Sequence, residues 1–204
     1  MKKDTNKKII IGFSIGDYNG IGPEILLKSF SDSKLLQNFI PVVFCDKHIL
    51  EYYSKRYGHE FKIKETNNLD SIADENSIYT FPISNTEIEI LPGEIKKESG
   101  NYAVKSLEEC TNAQINKKID GIVTLPISKI NSQSTKFPFP GHTEYFLEKF
   151  NIDDNMMIMH SEMMTIGFMT GHIPLDSIKS VLDKKKIIKK LKIFVDTIEK
   201  DLKK

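Results

Sequence analysis

The chain has no tryptophan, only two cysteines, no surplus of either charge and no apolar run of membrane length. Each shortage removes a class of protein. Cys45 and Cys110 stand apart and form no metal-binding or redox motif, so they read as core fillers suited to a reducing, cytoplasmic setting. Lys and Arg number 29 against 28 Asp and Glu, a net +1, which offers no global attraction to nucleic acid or to an anionic membrane. The longest apolar stretches, Ile9–Ile15 and Phe39–Cys45, are far too short to cross a bilayer. The basic start, Met1 to Lys8, is followed by no small-residue cleavage site of signal-peptide type. Also absent are Gly-Lys-Ser/Thr, which excludes a P-loop, and His-Glu-x-x-His, which leaves no ready pair of zinc histidines. No internal repeat or low-complexity segment is present. What remains is an ordinary globular composition, 39% apolar and 28% charged over 204 residues. That is enough for one substantial core, or for a domain plus part of another.

The stretch around which the chain is organised is Gly16-Asp17-Tyr18-Asn19-Gly20-Ile21-Gly22-Pro23-Glu24. A β-branched, strand-length run, Lys8 to Ile15, precedes it, and Ile25 to Phe30 follows with one apolar helical face. Strand, glycine turn and helix is how an open α/β sheet presents a ligand crevice at a strand's carboxyl end. The three glycines let the backbone take positive φ and approach a ligand closely. Pro23 suits the first helical position, and the free N–H groups there favour an anion, most often phosphate. The spacing is G-x-x-x-G-x-G rather than the dinucleotide G-x-G-x-x-G, and a plain βα turn with no ligand accounts for it equally.

Further along, Phe39 to Cys45 reads as a second strand, and Asp46 as the cap of a helix running to Tyr57 and stopped by Gly58. Phe61–Ile63 reads as a short third strand, Lys64–Ser77 as a polar loop, and Glu87–Ile90 as an exposed or edge strand. Ser99-Gly100-Asn101-Tyr102 opens a helix that ends before Asp120-Gly121. Ile122–Leu125 is a short apolar strand of the kind buried on both faces, leading into Pro126-Ile127-Ser128-Lys129. Phe137–Glu144 is a turn into a helix, and Met156–His160 and Met164–Thr170 are two more strands. The second of these empties into Gly171-His172-Ile173-Pro174. From Asp183 to Lys204, nine lysines face four acids, with Ile187, Ile188, Leu191, Phe194, Val195 and Ile198 on one stripe. The pattern predicts an amphipathic helix with a solvated basic face. Alternating strands and helices imply an α/β fold with a mostly parallel, helix-covered sheet.

In such a sheet, polar turns at strand ends carry the chemistry. Four fall there: Gly16–Glu24, Thr124–Lys129, Gly141–Glu144 and Gly171–Pro174. His172 is held extended by the following Ile-Pro, placing an imidazole that serves as metal ligand, acid–base or hydrogen-bonded structural group. A catalytic zinc takes about three protein ligands, so one histidine is not a site. His142 and Thr143 suit polar contacts to a carboxylate or phosphate, with Thr143 as a plain N-cap the alternative. Lys129 is an anion partner or a surface lysine. Asp17 orients a neighbour or bonds its own turn, as Asp in turns commonly does. His48, His59 and His160 show no partners in the sequence, and Met156, Met157, Met159, Met163 and Met164 read as core filling.

Five segments in order resemble the 4-hydroxythreonine-4-phosphate dehydrogenase family of vitamin B6 biosynthesis. They are Gly16-Asp17 with Gly20-Ile21-Gly22-Pro23-Glu24, Ser99-Gly100-Asn101-Tyr102-Ala103, Val123 to Lys129, Phe139-Pro140-Gly141-His142-Thr143-Glu144, and Gly171-His172-Ile173-Pro174-Leu175. Each is weak alone, and together they are specific. The resemblance implies an isocitrate/isopropylmalate-dehydrogenase-like α/β fold and a homodimer with its active site near the subunit interface. It implies NAD- or NADP-dependent oxidation of 4-phosphooxy-L-threonine, whose product then loses CO₂. It also implies a divalent metal (zinc, magnesium or cobalt) that polarises the substrate oxygen as a Lewis acid. By motif position, His142 and Thr143 look like the family's substrate-binding pair, and His172 like one of its three metal-binding histidines. Two departures stand out. Tyr18-Asn19 replaces the Pro-Ala of many members, and members continue well past the counterpart of Lys204. Residues 1–204 thus resemble the N-terminal part of one dehydrogenase chain. The remainder would carry the other two metal histidines and most nicotinamide contacts. The expected partner is a small phosphorylated amino acid, with no nucleic acid and no membrane. A non-catalytic remnant or a split-enzyme half that binds a phosphorylated small molecule is the alternative.

Overall fold

Apolar runs of β-branched residues, each closed by a turn, become neighbouring parallel strands in the computed structural model. It describes residues 8–31, 33–72, 76–84, 88–133 and 137–202. The chain divides into two compact units, Met1–Glu144 and Tyr145–Lys204.

In the first unit, β1 (Ile9–Ser14), β2 (Phe39–Phe44), β3 (Ile63–Glu65), β4 (Ile78–Thr80) and β5 (Gly121–Thr124) form one sheet in the order β3-β4-β2-β1-β5. Every pairing is parallel, as the alternation of strands and helices requires. α1 (Gly22–Phe30), α2 (Ser33–Asn38), α3 (Lys47–Tyr57), α4 (Lys97–Ile115) and the short α5 (Lys129–Ser132) intervene. Ile15, Leu27, Val42, Val43, Ile49 and Leu50 are wholly buried at the centre of the core. Both cysteines lie in the core too, where burial pushes their thiols up and leaves them unreactive.

Several boundaries differ from the sequence reading. The third strand lies two residues later than expected, and β4, absent from that reading, sits between β3 and β2. Three-residue strands carry too little periodicity to be seen. The polar stretch after β3 contains a 3₁₀ turn at Leu69–Ser71, with Ala73 to Glu75 outside the described residues. Ile88–Ile90 is irregular rather than an edge strand, and Glu87 lies outside the described residues. Asp46 precedes α3 but makes no side-chain cap, because its carboxylate is engaged elsewhere. Gly58 ends α3 in the left-handed region, φ 68°, as expected. β5 is not buried on both faces: it is the sheet's last strand among the described residues, and Val123 is 41% exposed.

α6 (His142–Lys149) runs across the division between the units. In the second unit β6 (Met157–His160) and β7 (Thr165–Phe168) pair antiparallel as a sheet of their own, not as members of the parallel one. A 3₁₀ turn, α7 (Ile178–Val181), α8 (Lys184–Asp196) and a π turn at Thr197–Asp201 complete it. Asp183 caps α8 by accepting from Lys186 N at 2.7 Å. The expected basic outer face is only partly right. Lys190 is buried and paired with Asp154 at 2.5 Å, whereas Ile188, Leu191 and Val195 stay exposed. The methionines are not core filling here: Met159, Met163 and Met164 are all exposed, and so is Met157 at the start of β6.

Candidate functional site

Because β1 and β5 are neighbours and parallel, the turns at their carboxyl ends meet. Leu125 N donates to Ser14 O at 3.0 Å, and Asp17 N to Pro126 O at 3.0 Å. Of the three glycines expected at positive φ, only Gly16 has it, at 69°. A Cβ on Gly16 would stand 2.2 Å from Pro126 O. Gly22 serves close packing instead: a Cβ there would lie 2.7 Å from Ile15 O. Gly20 closes the turn through its N–H to Asp17 O, 2.9 Å, and is exposed. α1 then begins with Pro23 in its first turn and no side-chain cap, leaving its N-terminus as an anion-favouring end.

Asp17 both bonds its own turn and orients a neighbour. It is buried, with Oδ1 accepting from Asn19 N at 2.9 Å and Oδ2 from Asn131 Nδ2 at 2.8 Å. The Asn131 amide also reaches Lys96 O at 2.8 Å and Ser99 Oγ at 3.2 Å, while its Oδ1 is buried without a partner among the described residues. Gly100 lets α4 approach, since a Cβ there would lie 2.1 Å from Asn131 O. Two segments far apart in sequence, the glycine turn and the start of α4, therefore converge on one carboxamide. Asn131 and Asn19 were not legible as site residues. Asn19 holds the 91–94 segment by accepting from Leu91 N at 2.8 Å and, through its carbonyl, from Gly93 N at 2.7 Å. At the end of β2, Asp46 Oδ2 accepts from the Tyr102 hydroxyl at 2.5 Å, and that hydroxyl accepts from Asp46 N at 2.8 Å. Burial pushes Tyr102 far above its ordinary value, so it remains a donor.

Beside these turns lies a cavity of about 430 Å³ lined by Tyr18, Tyr102, Lys96, Glu89 and Glu98 among others. Lys96 is paired to Glu94 at 2.9 Å. Burial, then Asp17, Glu98 and Glu89, raise Tyr18 above its ordinary value. The cavity's field is therefore unfavourable to phosphate. An anion is better served by the start of α1 and by Lys129, which is exposed at the start of α5.

His142 and Thr143 are the first two residues of α6, so Thr143 is inside the helix rather than its cap, and it is exposed. His142 Nε2 is buried without a hydrogen-bond partner among the described residues, and burial lowers the imidazole's pKa below its ordinary value. Burial thus favours the neutral ring and leaves Nε2 available. His172 lies in the second unit, exposed, between a tight Gly171–Ile173 turn (Ile173 N to Gly171 O, 2.7 Å) and Pro174. His160 has a partner after all, Thr165 Oγ1 at 2.7 Å, and the His59 ring packs on Phe61. Among the described residues no three His, Cys, Asp or Glu side chains cluster to hold a metal. These residues alone do not form a metal centre, and His172 would be one donor of such a set.

A parallel sheet with glycine and polar turns joined at the carboxyl ends of adjacent strands defines an α/β protein of the ligand-crevice class. The family model described as Pyridoxal phosphate biosynthetic protein PdxA matches residues 37–204, and the chain belongs to that family. A 4-hydroxythreonine-4-phosphate dehydrogenase of Bacteroides thetaiotaomicron is 32% identical over 195 residues, covering 95% of this chain and 53% of the relative. Its counterpart from Hydrogenobaculum is 33% identical over 193 residues, 94% of this chain and 59% of the relative. The chain thus spans about half to three-fifths of the length of the curated relatives it matches. The crystal structure of a 4-hydroxythreonine-4-phosphate dehydrogenase from Burkholderia phymatum superposes with a TM-score of 0.82 at 21% identity, covering 92% of this chain and 57% of that one. That likeness shows the fold.

Proposed function

We propose that this chain is the N-terminal part of an NAD- or NADP-dependent dehydrogenase acting on 4-phosphooxy-L-threonine in pyridoxal phosphate biosynthesis. The C3 alcohol is oxidised, with its hydride passing to the nicotinamide and its hydroxyl proton released. The resulting 2-amino-3-oxo acid loses CO₂ to give 3-amino-2-oxopropyl phosphate. One observation carries the reading: in a chain of this family, the glycine turn and the Pro126–Lys129 turn meet at neighbouring strand ends. His142 and Thr143 are assigned to the substrate, His142 through its unused Nε2. Gly16, Gly20, Gly22, Asp17 and Lys129 build the anion end. His172 is assigned to a divalent ion (zinc, magnesium or cobalt) whose other ligands lie outside these residues, so no step is derived through it. A cytoplasmic homodimer fits the reading. Among the described residues no helix is long and apolar enough to cross a membrane.

The test is nicotinamide reduction with 4-phosphooxy-L-threonine and each of the three metals. The 204-residue chain alone is expected to show none. The same chain paired with the C-terminal portion of the Bacteroides thetaiotaomicron relative is expected to turn over. Turnover by the chain alone would overturn the need for further ligands, and an assembled pair that stays silent would overturn the dehydrogenase. One second reading uses the anion-favouring start of α1 without catalysis: a non-catalytic or split half that binds a phosphorylated small molecule. Calorimetric binding of the substrate without any turnover by the assembled pair would establish it.

A further inference from the structure

Among the described residues the β3–β4 connection carries no α-helix, only the 3₁₀ turn Leu69–Ser71. A cavity of about 250 Å³ lies between that turn and the second half of α4. Leu69, with the rings of Phe44 and Phe81 at 5.4 Å between centroids, gives it an apolar floor. Its wall is a line of polar side chains at helical spacing: Glu109, Asn112 and Asn116 follow three and four residues apart along α4 and its C-cap. Glu109 is half-buried, and among the described residues it makes no hydrogen bond or ion pair. The side-chain amides of Asn112 and Asn116 make no hydrogen bond among them either. Lys118, also at the cavity, is already held by Asp70 at 2.5 Å. At 1.5 Å per residue Asn112 lies about 20 Å along α4 from Ser99, so the cavity stands apart from the strand-end turns.

An ionised carboxylate only accepts, whereas each carboxamide both donates and accepts. The free Glu109 therefore suits a pair of N–H donors, and the aromatic floor suits a flat ring. The volume lies below the roughly 300 Å³ at which pockets for drug-sized ligands begin, which fits a single base and not a dinucleotide. An anion is disfavoured, since the carboxylate is unpaired and the lysine is not. We infer that this cavity binds a flat nitrogen heterocycle of nucleobase size whose edge carries adjacent N–H donors, as that of guanine does. Glu109 accepts from that edge, Asn112 and Asn116 bond the remaining polar atoms of the ring, and the apolar floor covers one of its faces. An adenine edge fits worse, because it sets a ring-nitrogen acceptor against the carboxylate where guanine sets a donor. The inference concerns binding at a second place on the chain and is independent of the dehydrogenase reading.

The experiment titrates the full 204-residue chain, isotope-labelled, with guanosine, inosine and adenosine and follows its amide signals by NMR. Guanosine should shift the amides of Leu69, Phe81 and Ala113 and leave those of Gly16–Glu24 in place. Inosine keeps the ring N–H but lacks the amino group, and should bind at least ~10-fold more weakly, as losing one hydrogen bond to a charged group implies. Adenosine should bind more weakly still. Glu109→Gln exchanges one acceptor oxygen for a donor and should weaken guanosine at least ~10-fold, whereas Glu108→Gln, on a neighbouring face of α4, should leave it unchanged. Melting curves establish that both variants fold, and the inosine comparison needs no variant. No shift at Leu69, Phe81 and Ala113 with millimolar guanosine, or shifts confined to Gly16–Glu24, would overturn the inference. So would equal binding of adenosine, or a Glu109→Gln chain that binds guanosine as the native one does. Displacement of guanosine by NAD would make the cavity part of a dinucleotide site and overturn it as well.

Discussion

A single carboxamide does more at this site than any titratable group. Asn131 Nδ2 is the side-chain donor to Asp17 Oδ2, and Asp17 is 5% exposed, so water replaces that bond poorly. Removing a donor from a buried carboxylate costs about 2 kcal/mol. Asn131→Ala should therefore lower the denaturation free energy by about that amount, with Asn131→Asp worse near neutrality because it sets a second carboxylate against Asp17. Chemical denaturation of the two variants checks both. Nothing in the residue pattern marks this role, because an asparagine inside a short polar helix resembles any surface residue until the partner 114 positions away is placed beside it. His142 was singled out by its motif as a candidate, but its state could not be read there. Burial lowers its pKa, so the folded chain favours the neutral ring. The stability this contributes is complete above the unfolded value of about 6.5 and falls as pH drops through that value towards the lowered one. His142→Gln should flatten this part of the stability profile. NMR titration of His142 should give a midpoint below the ordinary value in the free chain. A midpoint at or above it would remove the unpartnered, desolvated ring from the site.

At the level of elements, the strands and helices of the first unit were largely readable, because β1, β2 and α4 carry long, unbroken patterns. β4 and β5 were harder in opposite ways. β4 is too short to show a period, whereas β5 was read correctly as a strand but given two covered faces, which depends on neighbours no local pattern contains. The same limit applies to β6 and β7, whose composition matched a parallel strand but whose two ends are linked closely enough to pair antiparallel. Glycines make the distinction testable. Gly16 and Gly58 have nearly equal φ, 69° and 68°, so a side chain is strained alike at both. At Gly58 nothing among the described residues lies within 4 Å of an added Cβ, while at Gly16 it would meet Pro126 O at 2.2 Å. Gly58→Ala should cost about 1 kcal/mol, the conformational penalty alone. Gly16→Ala should cost more than about 3 kcal/mol, because the β1 and β5 turns would be forced apart as well. Equal losses in paired thermal melts would mean that the two turns are not packed as described.

On the scale of the whole molecule, the two units differ in how much they bury. The first holds a continuous core from Ile10 to Leu125. In the second, only Tyr145 and Lys190 among the described residues are buried, and Met163 is 97% exposed. No pattern of residues forecast this, since the stripe on α8 and the methionines of β6 read as core. What holds the second unit is partly ionic. Lys190 Nζ donates to Asp154 Oδ1 and to Asn155 O, and Asp154 retains only 18% of its side-chain exposure. Burial acts to raise the Asp154 carboxyl, but the Lys190 bond and charge, with Asn155 N and Lys189, outweigh it and hold it below the ordinary range. Stability from this pair is thus fully present above the ordinary carboxylate value and is lost as pH falls through the lowered one. Lys190→Met should cost the second unit about 1–2 kcal/mol at neutral pH, less than a fully buried pair because Asp154 keeps some water. It should also diminish the acid-side loss expected of the native chain. The measurement is amide exchange by mass spectrometry. In the native chain β1, β2 and α4 should exchange slowest and β6, β7 and α8 fastest, because local opening follows the apolar area each segment buries. In Lys190→Met, exchange should quicken in α8 and around Asp154 and remain unchanged in α4. If α8 were as protected as α4 in the native chain, or if the substitution left α8 untouched, the Lys190–Asp154 pair would not be what holds the second unit.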